Sequence, residues 1–445
     1  EKVGMPDMAK LLIVTTAFAP KNVIGSVRAS KLAKYLVRQG HEVSVISPSL
    51  APDAPRDLLL MGPEIEQTRR LEVPYARLHD ALGSRYRRDT KATGAGAVAV
   101  RTDWKGTAIA LYKHAQEWLW SIRARKALRQ LAGGEKFDAV ISTYPNYGPH
   151  WLAAWARGKG LARRWLADYR DPMVYEWLGP LMKRVNLRLQ RRTERSADVL
   201  TTISRDAMDK FVIAENGGKL RWVPNGFDPE DVEGLAAPGK NRAEPGAPLV
   251  FSYAGGLYGG KRDLSVFFKA LRQLVDEGAL KETDLRLDYA GLDSSVMAAF
   301  AQRENLAGII RNHGQLTRRK AIELQQSADC ALVCAHNTKK DKGILTGKIY
   351  ECILVGNPIL AIVNGDAPGS ELGRMIDHLR AGFVYEEARH HDDFPGMKAC
   401  ILAMLHQKRD TGFVEARIDR TLAATYSYAE ISARIADYAL GGMDK

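Results

Sequence analysis

Short apolar runs recur along the chain, each followed by a stretch in which apolar residues return every third or fourth position. Residues 11–16 (LLIVTT) form such a run, rich in β-branched side chains, and predict a buried parallel strand. After a loop over 17–25, Ala29, Leu32, Ala33, Leu36 and Val37 recur at helical spacing until Gly40 stops the helix. Residues 42–47 (EVSVIS) predict a second strand, so the chain opens on a βαβ unit. Further strands are expected over 137–142, 164–168 and 199–204, with helical stretches between them. Alternation of this kind predicts a doubly wound parallel sheet.

Residues 228–247 (DPEDVEGLAAPGKNRAEPGA) break the pattern with proline, glycine and charge, and read as an interdomain linker. The alternation then restarts. Strands are expected over 249–254, 285–290, 309–313, 330–335 and 358–363, and helices near 262–277, 317–327 and 348–355. The 445-residue chain is long enough for two cores. It divides into an α/β domain over 1–227, the linker, and a second α/β domain over 248–426. A last helical segment within 427–445 is free to pack on either domain and is assigned to the first.

A hydrophobic share of 45% and a charged share of 26% are ordinary for a soluble globular protein. The net charge of +13 points to an anionic partner without choosing among a phosphorylated substrate, a membrane surface and nucleic acid. Nucleic acid is disfavoured because the basic residues are dispersed and form no recognised binding module. Cys330, Cys334, Cys352 and Cys400 lack metal-like spacing; they read as buried thiols suited to a reducing cytoplasm. No secretory signal and no apolar run long enough for a membrane span is visible, so a cytoplasmic protein is expected. One region changes that picture. Residues 85–129 gather many Lys and Arg together with Trp104, Trp118 and Trp120. The run EWLWSIRARKALRQL sets Trp118, Leu119 and Ile122 beside Arg123, Arg125, Lys126 and Arg129. A basic, aromatic, amphipathic helix suits the anionic inner face of a membrane. The alternative is a helix that packs its apolar stripe on the first domain and solvates its charges.

Three loops could carry chemistry. Residues 20–28 (PKNVIGSVR) follow the first strand, where ligands bind in such sheets. Gly25 there permits close backbone approach at a helix N-terminus that favours anions and is a candidate donor contact, although no G-x-G-x-x-G is present. Residues 253–262 (YAGGLYGGKR) offer Gly255, Gly256, Lys261 and Arg262 as a diphosphate cradle, or else as a flexible turn with solvated charges. In 343–358 (GILTGKIYECILVGNP), Gly343, Thr346, Gly347 and Lys348 open a helix in an anion-friendly way. Glu351, one turn in, is either a carboxylate that complements the helix dipole or an acceptor for a sugar diol. Arg170 and Asp171, ahead of Pro172, read either as a structural ion pair or as a pair that positions an acceptor or a departing phosphate. His150, near Tyr144, is a loop candidate or a surface histidine.

These motifs resemble family 4 glycosyltransferases of the GT-B fold over most of the chain. The segments LLIVTTAFAP…GSVRASKLAKYLVRQGHEVSVIS, SADVLTTISRDAMDKF, RWVPNGFDPE, SYAGGLYGGKR, HGQLTRRKAIELQQSADCALV and GKIYECILVGNPILAI carry the resemblance. The phrases VPNG and KIYE…GNPILAI are the most specific. The resemblance implies two Rossmann-like domains facing across a cleft, the first binding acceptor and the second a nucleotide-sugar. It implies that Lys261 contacts the donor diphosphate and Glu351 the ribose. It implies that backbone groups of 311–316, including His313 and Gly314, read the base. Asp168, Arg170 and Asp171 then fall on the acceptor-domain loop that faces the donor sugar, with Tyr144 and His150 as further acceptor contacts. Two departures stand out: the first glutamate of the Glu-x7-Glu motif falls on Gly343, and the arginine that commonly precedes the lysine falls on Gly256.

The function so implied is retaining transfer of a sugar from a nucleotide-diphosphate donor, with a UDP-sugar favoured, to a glycan or polyprenyl-linked acceptor. Cell-surface polysaccharide synthesis is the expected setting. Arg170, Asp171 and Lys261 are the candidate catalytic groups; no metal and no obligatory cofactor is implied, the nucleotide-sugar being substrate. The alternatives are a sugar-nucleotide epimerase of the same architecture and a catalytically silent glycosyltransferase-like scaffold.

Overall fold

A computed structural model describes residues 8–76, 104–175, 178–235, 246–258, 262–343 and 345–442. The chain forms two compact units. One runs to Gly226 and resumes at Ser427; the other takes the chain from Phe227 to Tyr426.

The first unit holds strands β1 (Lys10–Val14), β2 (Glu42–Pro48), β3 (Arg69–Val73), β4 (Phe137–Tyr144), β5 (Ala162–Tyr169), β6 (Val199–Thr202) and β7 (Leu220–Trp222). They lie parallel in the order β3-β2-β1-β4-β5-β6-β7. Period-two alternation assigns the two faces. Leu11, Ile13, Val43 and Val45 pack with Leu32 and Leu36 of the helix Ile24–Arg38 and with Ile431 and Ile435 of the helix Tyr428–Leu440. Leu12, Val14 and Val140 face the other way, against Trp120, Leu128 and Leu152 from the helices Trp104–Ala132 and Gly148–Gly158. Both faces are covered, which is why these strands read as continuous apolar runs. The helix Tyr428–Leu440 starts at Ser427, whose hydroxyl accepts from the Glu430 amide (3.3 Å), and stops at Gly441 with φ +111°.

The second unit holds β8 (Leu249–Ala254), β9 (Leu285–Ala290), β10 (Ile310–Asn312), β11 (Cys330–His336), β12 (Ile359–Asn364) and β13 (Gly382–Glu386). They are parallel in the order β10-β9-β8-β11-β12-β13. Phe251, Phe267, Phe268 and Leu271 lead its core, the last three from the helix Ser265–Asp276. Residues 228–232, read from composition as the start of a linker, instead form a 3-10 turn over Pro229–Val232, with Asp228 and Asp231 buried.

In each sheet the strand order reverses direction once, between β1 and β4 and between β8 and β11. Ligands of open α/β sheets bind outside the carboxyl ends of the strands at such switch points. These are the two places where chemistry is to be sought. A cavity of about 980 Å³ in the second unit touches Cys330, Ile359 and Gly382, at the amino ends of β11, β12 and β13, and so lies at the wrong end of the sheet.

The basic helix is only partly outward-facing. Trp120, expected among the surface aromatics, is fully buried and donates its indole N–H to the Val73 carbonyl (2.9 Å). Trp118 and Leu119 are exposed, at 47% and 38%. Arg125 and Arg129 lie over the Trp155 ring at 5.2 and 5.0 Å. Residues 85–103 and the Trp104 side chain lie outside the described residues. Cys330, Cys334 and Cys352 are buried thiols, whereas Cys400 is only half-buried.

Candidate functional site

In the second unit the loop after β8 meets the start of the helix Lys348–Val355. Gly255 leaves the strand at φ +153°, donating its amide to the Ala290 carbonyl (2.9 Å). A side chain on Gly255 would lie in ordinary contact with Cε of Lys348, at 3.8 Å, so the two loops stand side by side here, and the positive φ is what favours glycine. The next turn is braced by Asp293, whose carboxylate accepts from the Leu257 amide (2.6 Å) beside Gly256. Arg262 folds back on the same loop. It donates to the Gly256 carbonyl (3.2 Å) and lies 4.4 Å over the Tyr258 ring. Lys261 lies outside the described residues.

The helix Lys348–Val355 begins at Gly347, and the buried Thr346 hydroxyl accepts from the Lys348 amide (3.1 Å). Lys348 Nζ reaches Glu351 Oε2 at 3.0 Å, one turn along. Glu351 Oε1 accepts from Arg318 Nε (3.2 Å), and Arg318 Nη2 donates to Asp231 Oδ2 (2.7 Å). Burial alone would raise the Glu351 carboxyl, but the Lys348 and Arg318 cations outweigh it and hold the group below its ordinary value. It is therefore a carboxylate with both oxygens engaged, each keeping a free lone pair for a further donor. Arg318 and Asp231 were not anticipated. Within the run TRRK nothing local separates Arg318 from Arg319, which pairs with Glu323 on the surface (3.2 Å). The helical phase set by the Thr317 cap, with its hydroxyl accepting from Lys320, is the signal that could have found it.

Gly343, where the resemblance places a glutamate, has φ +74°, a conformation in which any side chain is strained. The loop is built for glycine. His313 Nε2 lies 3.0 Å from Asp288 Oδ1, and Asp288 also accepts from Arg286 (3.1 Å). Gly314 turns at φ +64° and donates to Asn312. His313 and Gly314 thus sit at the end of β10, separated from the β8–β11 switch point by β9 and β8.

In the first unit the DYRD segment splits into two kinds of residue. Asp168, expected to face the acceptor, is fully buried. Arg28 Nε and Nη2 hold its two oxygens at 2.9 and 2.8 Å, and the Thr201 hydroxyl donates at 2.7 Å. Burial would raise this carboxyl, yet Arg28 and Thr201 bring it below its ordinary value. Arg28 goes on to donate to the Pro224 carbonyl (2.6 Å), so the pair ties β5 to the VPNG segment. Asp168 is a structural anchor, its oxygens spent inside the fold. Arg170 and Asp171 emerge beyond it. Arg170 donates from Nε to the Tyr144 carbonyl (3.1 Å), and a side chain on Gly25 would meet its Nη1 at 2.9 Å. Gly25, Tyr144 and Arg170 are therefore one cluster at the carboxyl ends of β1, β4 and β5, with Asp171 exposed beside it.

His150 is neither a surface histidine nor an open loop group. It is fully buried, with Nδ1 2.7 Å from the Ser142 hydroxyl and its ring 4.7 Å from that of Tyr169. The Trp165 indole, which can only donate, bonds the same hydroxyl at 2.7 Å and leaves the hydroxyl hydrogen for Nδ1. Burial pushes the imidazole down to about 3, with Asp168 opposing, so the ring is neutral. Its location fits a packing role and gives no route to an acceptor.

Residues 25–226 match the family model described as a glycosyl transferase 4-like domain. No curated protein matches the sequence. Several solved structures share the fold over nearly the whole chain. A sucrose-phosphate synthase from Thermosynechococcus elongatus is 13% identical with a TM-score of 0.62, covering 96% of this chain and 98% of its own. WaaG, described as a glycosyltransferase involved in lipopolysaccharide biosynthesis, is 14% identical with a TM-score of 0.55, covering 97% and 100%. A structure from E. coli titled trehalose-6-phosphate bound with UDP-2-fluoro glucose is 11% identical with a TM-score of 0.60, covering 98% and 100%. At these identities the likeness speaks for the fold.

Proposed function

We propose that the chain, whose residues 25–226 match a glycosyl transferase 4-like domain and which shares the GT-B fold, is a glycosyltransferase that transfers a sugar, with retention, from a nucleotide-diphosphate donor to a glycan or lipid-linked acceptor. The observation that carries this reading is the meeting of Gly255 with Lys348 and Glu351 at the carboxyl ends of the second sheet. The second unit holds the donor. Backbone amides around Gly255 and Gly347, the helix N-terminus and Lys348 receive the diphosphate, with Lys261 and Arg262 adding charge. Glu351 accepts from the ribose through its remaining lone pairs. His313 and Gly314 read the base by backbone groups. A UDP-sugar is favoured, in keeping with the fluoroglucose derivative of UDP named for one structural neighbour.

The first unit takes the acceptor. Arg170, Asp171 and Tyr144 form the surface on which it is oriented. Donor stabilisation comes from backbone dipoles fixed by the fold, with the Lys348 cation at their edge. An acceptor of the cell-surface polysaccharide kind, carried on a lipid, agrees with exposed Trp118 and Leu119 beside exposed Arg123 and Arg129. That face suits an anionic inner membrane surface from the cytoplasmic side. No helix among the described residues is long and apolar enough to cross a membrane.

A donor screen tests the reading. Thermal unfolding is followed with UDP, GDP, ADP and their sugars, then repeated on Lys261→Ala, Lys348→Ala and Glu351→Ala. One nucleotide should raise the midpoint selectively, and each substitution should weaken that response. A wild-type protein that answers to no nucleotide sinks the transferase reading and moves the silent scaffold to the front.

A further inference from the structure

Four charged groups are packed in one line beneath the donor loops: Asp231, Arg318, Glu351 and Lys348. They differ sharply in exposure. The side chains of Asp231 and Glu351 are 3% and 6% exposed and that of Arg318 is 10%, whereas that of Lys348 is 32%. Three members are thus locked into the fold, and the fourth stands at its edge beside Gly255. Lys348 has the geometry to meet an anion, but it is committed to Glu351 at 3.0 Å. If Lys348 were the only counter-ion of a buried carboxylate, turning away would leave that charge unpaired, which is heavily unfavourable.

Resting on the donor-site reading above, we infer that Arg318 is a positioning residue: it carries the charge of Glu351, so that Lys348 is released to an anionic diphosphate. Arg318 bonds Glu351 through Nε and Asp231 through Nη2, and its Nη1, buried among these groups, has no hydrogen-bond partner. The guanidinium stays charged and keeps its Nε on Glu351, so the carboxylate retains a counter-ion when Lys348 turns away. Asp231 fixes the far end, so the guanidinium does not follow the lysine. The lysine is flexible and single-pointed and the arginine planar and forked, which matches a moving and a fixed partner respectively.

The test is calorimetric binding to the full chain of UDP against uridine, with GDP, ADP and their nucleosides, and inorganic pyrophosphate as a base-free probe. In the wild-type protein the diphosphate should bind far more tightly than the nucleoside. Arg318→Gln should cut that preference about tenfold while leaving nucleoside affinity within about twofold, because Lys348 stays with Glu351. Arg318→Lys should keep part of it. Adding Glu351→Gln to Arg318→Gln should restore the preference to that of Glu351→Gln alone, since no carboxylate then holds the lysine. Arg318→Gln with Asp231→Asn removes a charge of each sign, and should show the same loss even if the single variant folds poorly. An unchanged preference in Arg318→Gln, or equal loss for nucleoside and diphosphate, overturns the inference and leaves the donor site standing. A wild-type chain that binds no probe overturns both.

Discussion

His150 shows how much the meaning of a residue depends on what closes over it. Ionising this imidazole is opposed by burial, so its value is about 3 in the folded chain against 6.5 when exposed. The unfolded chain takes up a proton below about pH 6.5 that the folded chain refuses. Stability from this site is therefore complete above that pH and is lost as pH falls toward 3, at up to about 1.4 kcal/mol per pH unit. Melting of wild type and His150→Leu at pH 7, 6 and 5 should bring the two midpoints together as the pH drops; parallel curves would contradict the neutral, buried state. At this scale the sequence was half readable. The Lys348–Glu351 pair went unanticipated but was open to reading, because a three-residue spacing on a helix brings side chains together whatever the rest of the fold does. Asp168 and His150 were misplaced because their partners, Arg28 and Ser142 with Trp165, lie on other strands and helices. No local pattern announces an ion pair between residues 28 and 168.

Among elements, those with two neighbours were the easiest to anticipate. β8 and β9 run over the predicted residues because central parallel strands must be apolar on both faces. The strands that escaped notice, β3, β7 and β13, are outermost in their sheets. β3 (RRLEV) has three charged residues of five, tolerable at an edge that has only β2 to pair with and useful against unwanted pairing. The helix Tyr428–Leu440 was foreseen as a helix and assigned to the first domain, where it lies, although an amphipathic stripe by itself leaves either sheet open. It buries Ile431, Ile435 and Ala439 in the first unit. Each large apolar group so covered contributes roughly 1.5–3 kcal/mol. Its start is a single-residue device that can be tested apart from packing. Ser427→Ala should destabilise the first unit by about 1 kcal/mol, read as an earlier unfolding step for that unit with the second unchanged. No shift would mean that packing alone sets the helix.

For the whole molecule, the net charge of +13 is a statement about partners more than about fold. If the exposed Trp118 and Leu119 face seats on a membrane, the chain should sediment with vesicles containing anionic phospholipid and not with neutral ones. Binding should fall with added salt, because surface charges are screened over about 10 Å at 0.1 M. Trp118→Ala with Arg123→Glu should abolish it while donor binding persists; retention by that variant would reject the face. The arrangement of the two units has a consequence of another kind. The first unit stops at Gly226 and resumes only at Ser427. A ribosome adding roughly 5–20 residues per second therefore spends roughly 10–40 s making the second unit before the helix that covers the first sheet exists. The usual order of maturation is reversed. The domain begun first is finished last, and throughout that wait its apolar face around Ile141 and Leu166 is the surface a chaperone would find.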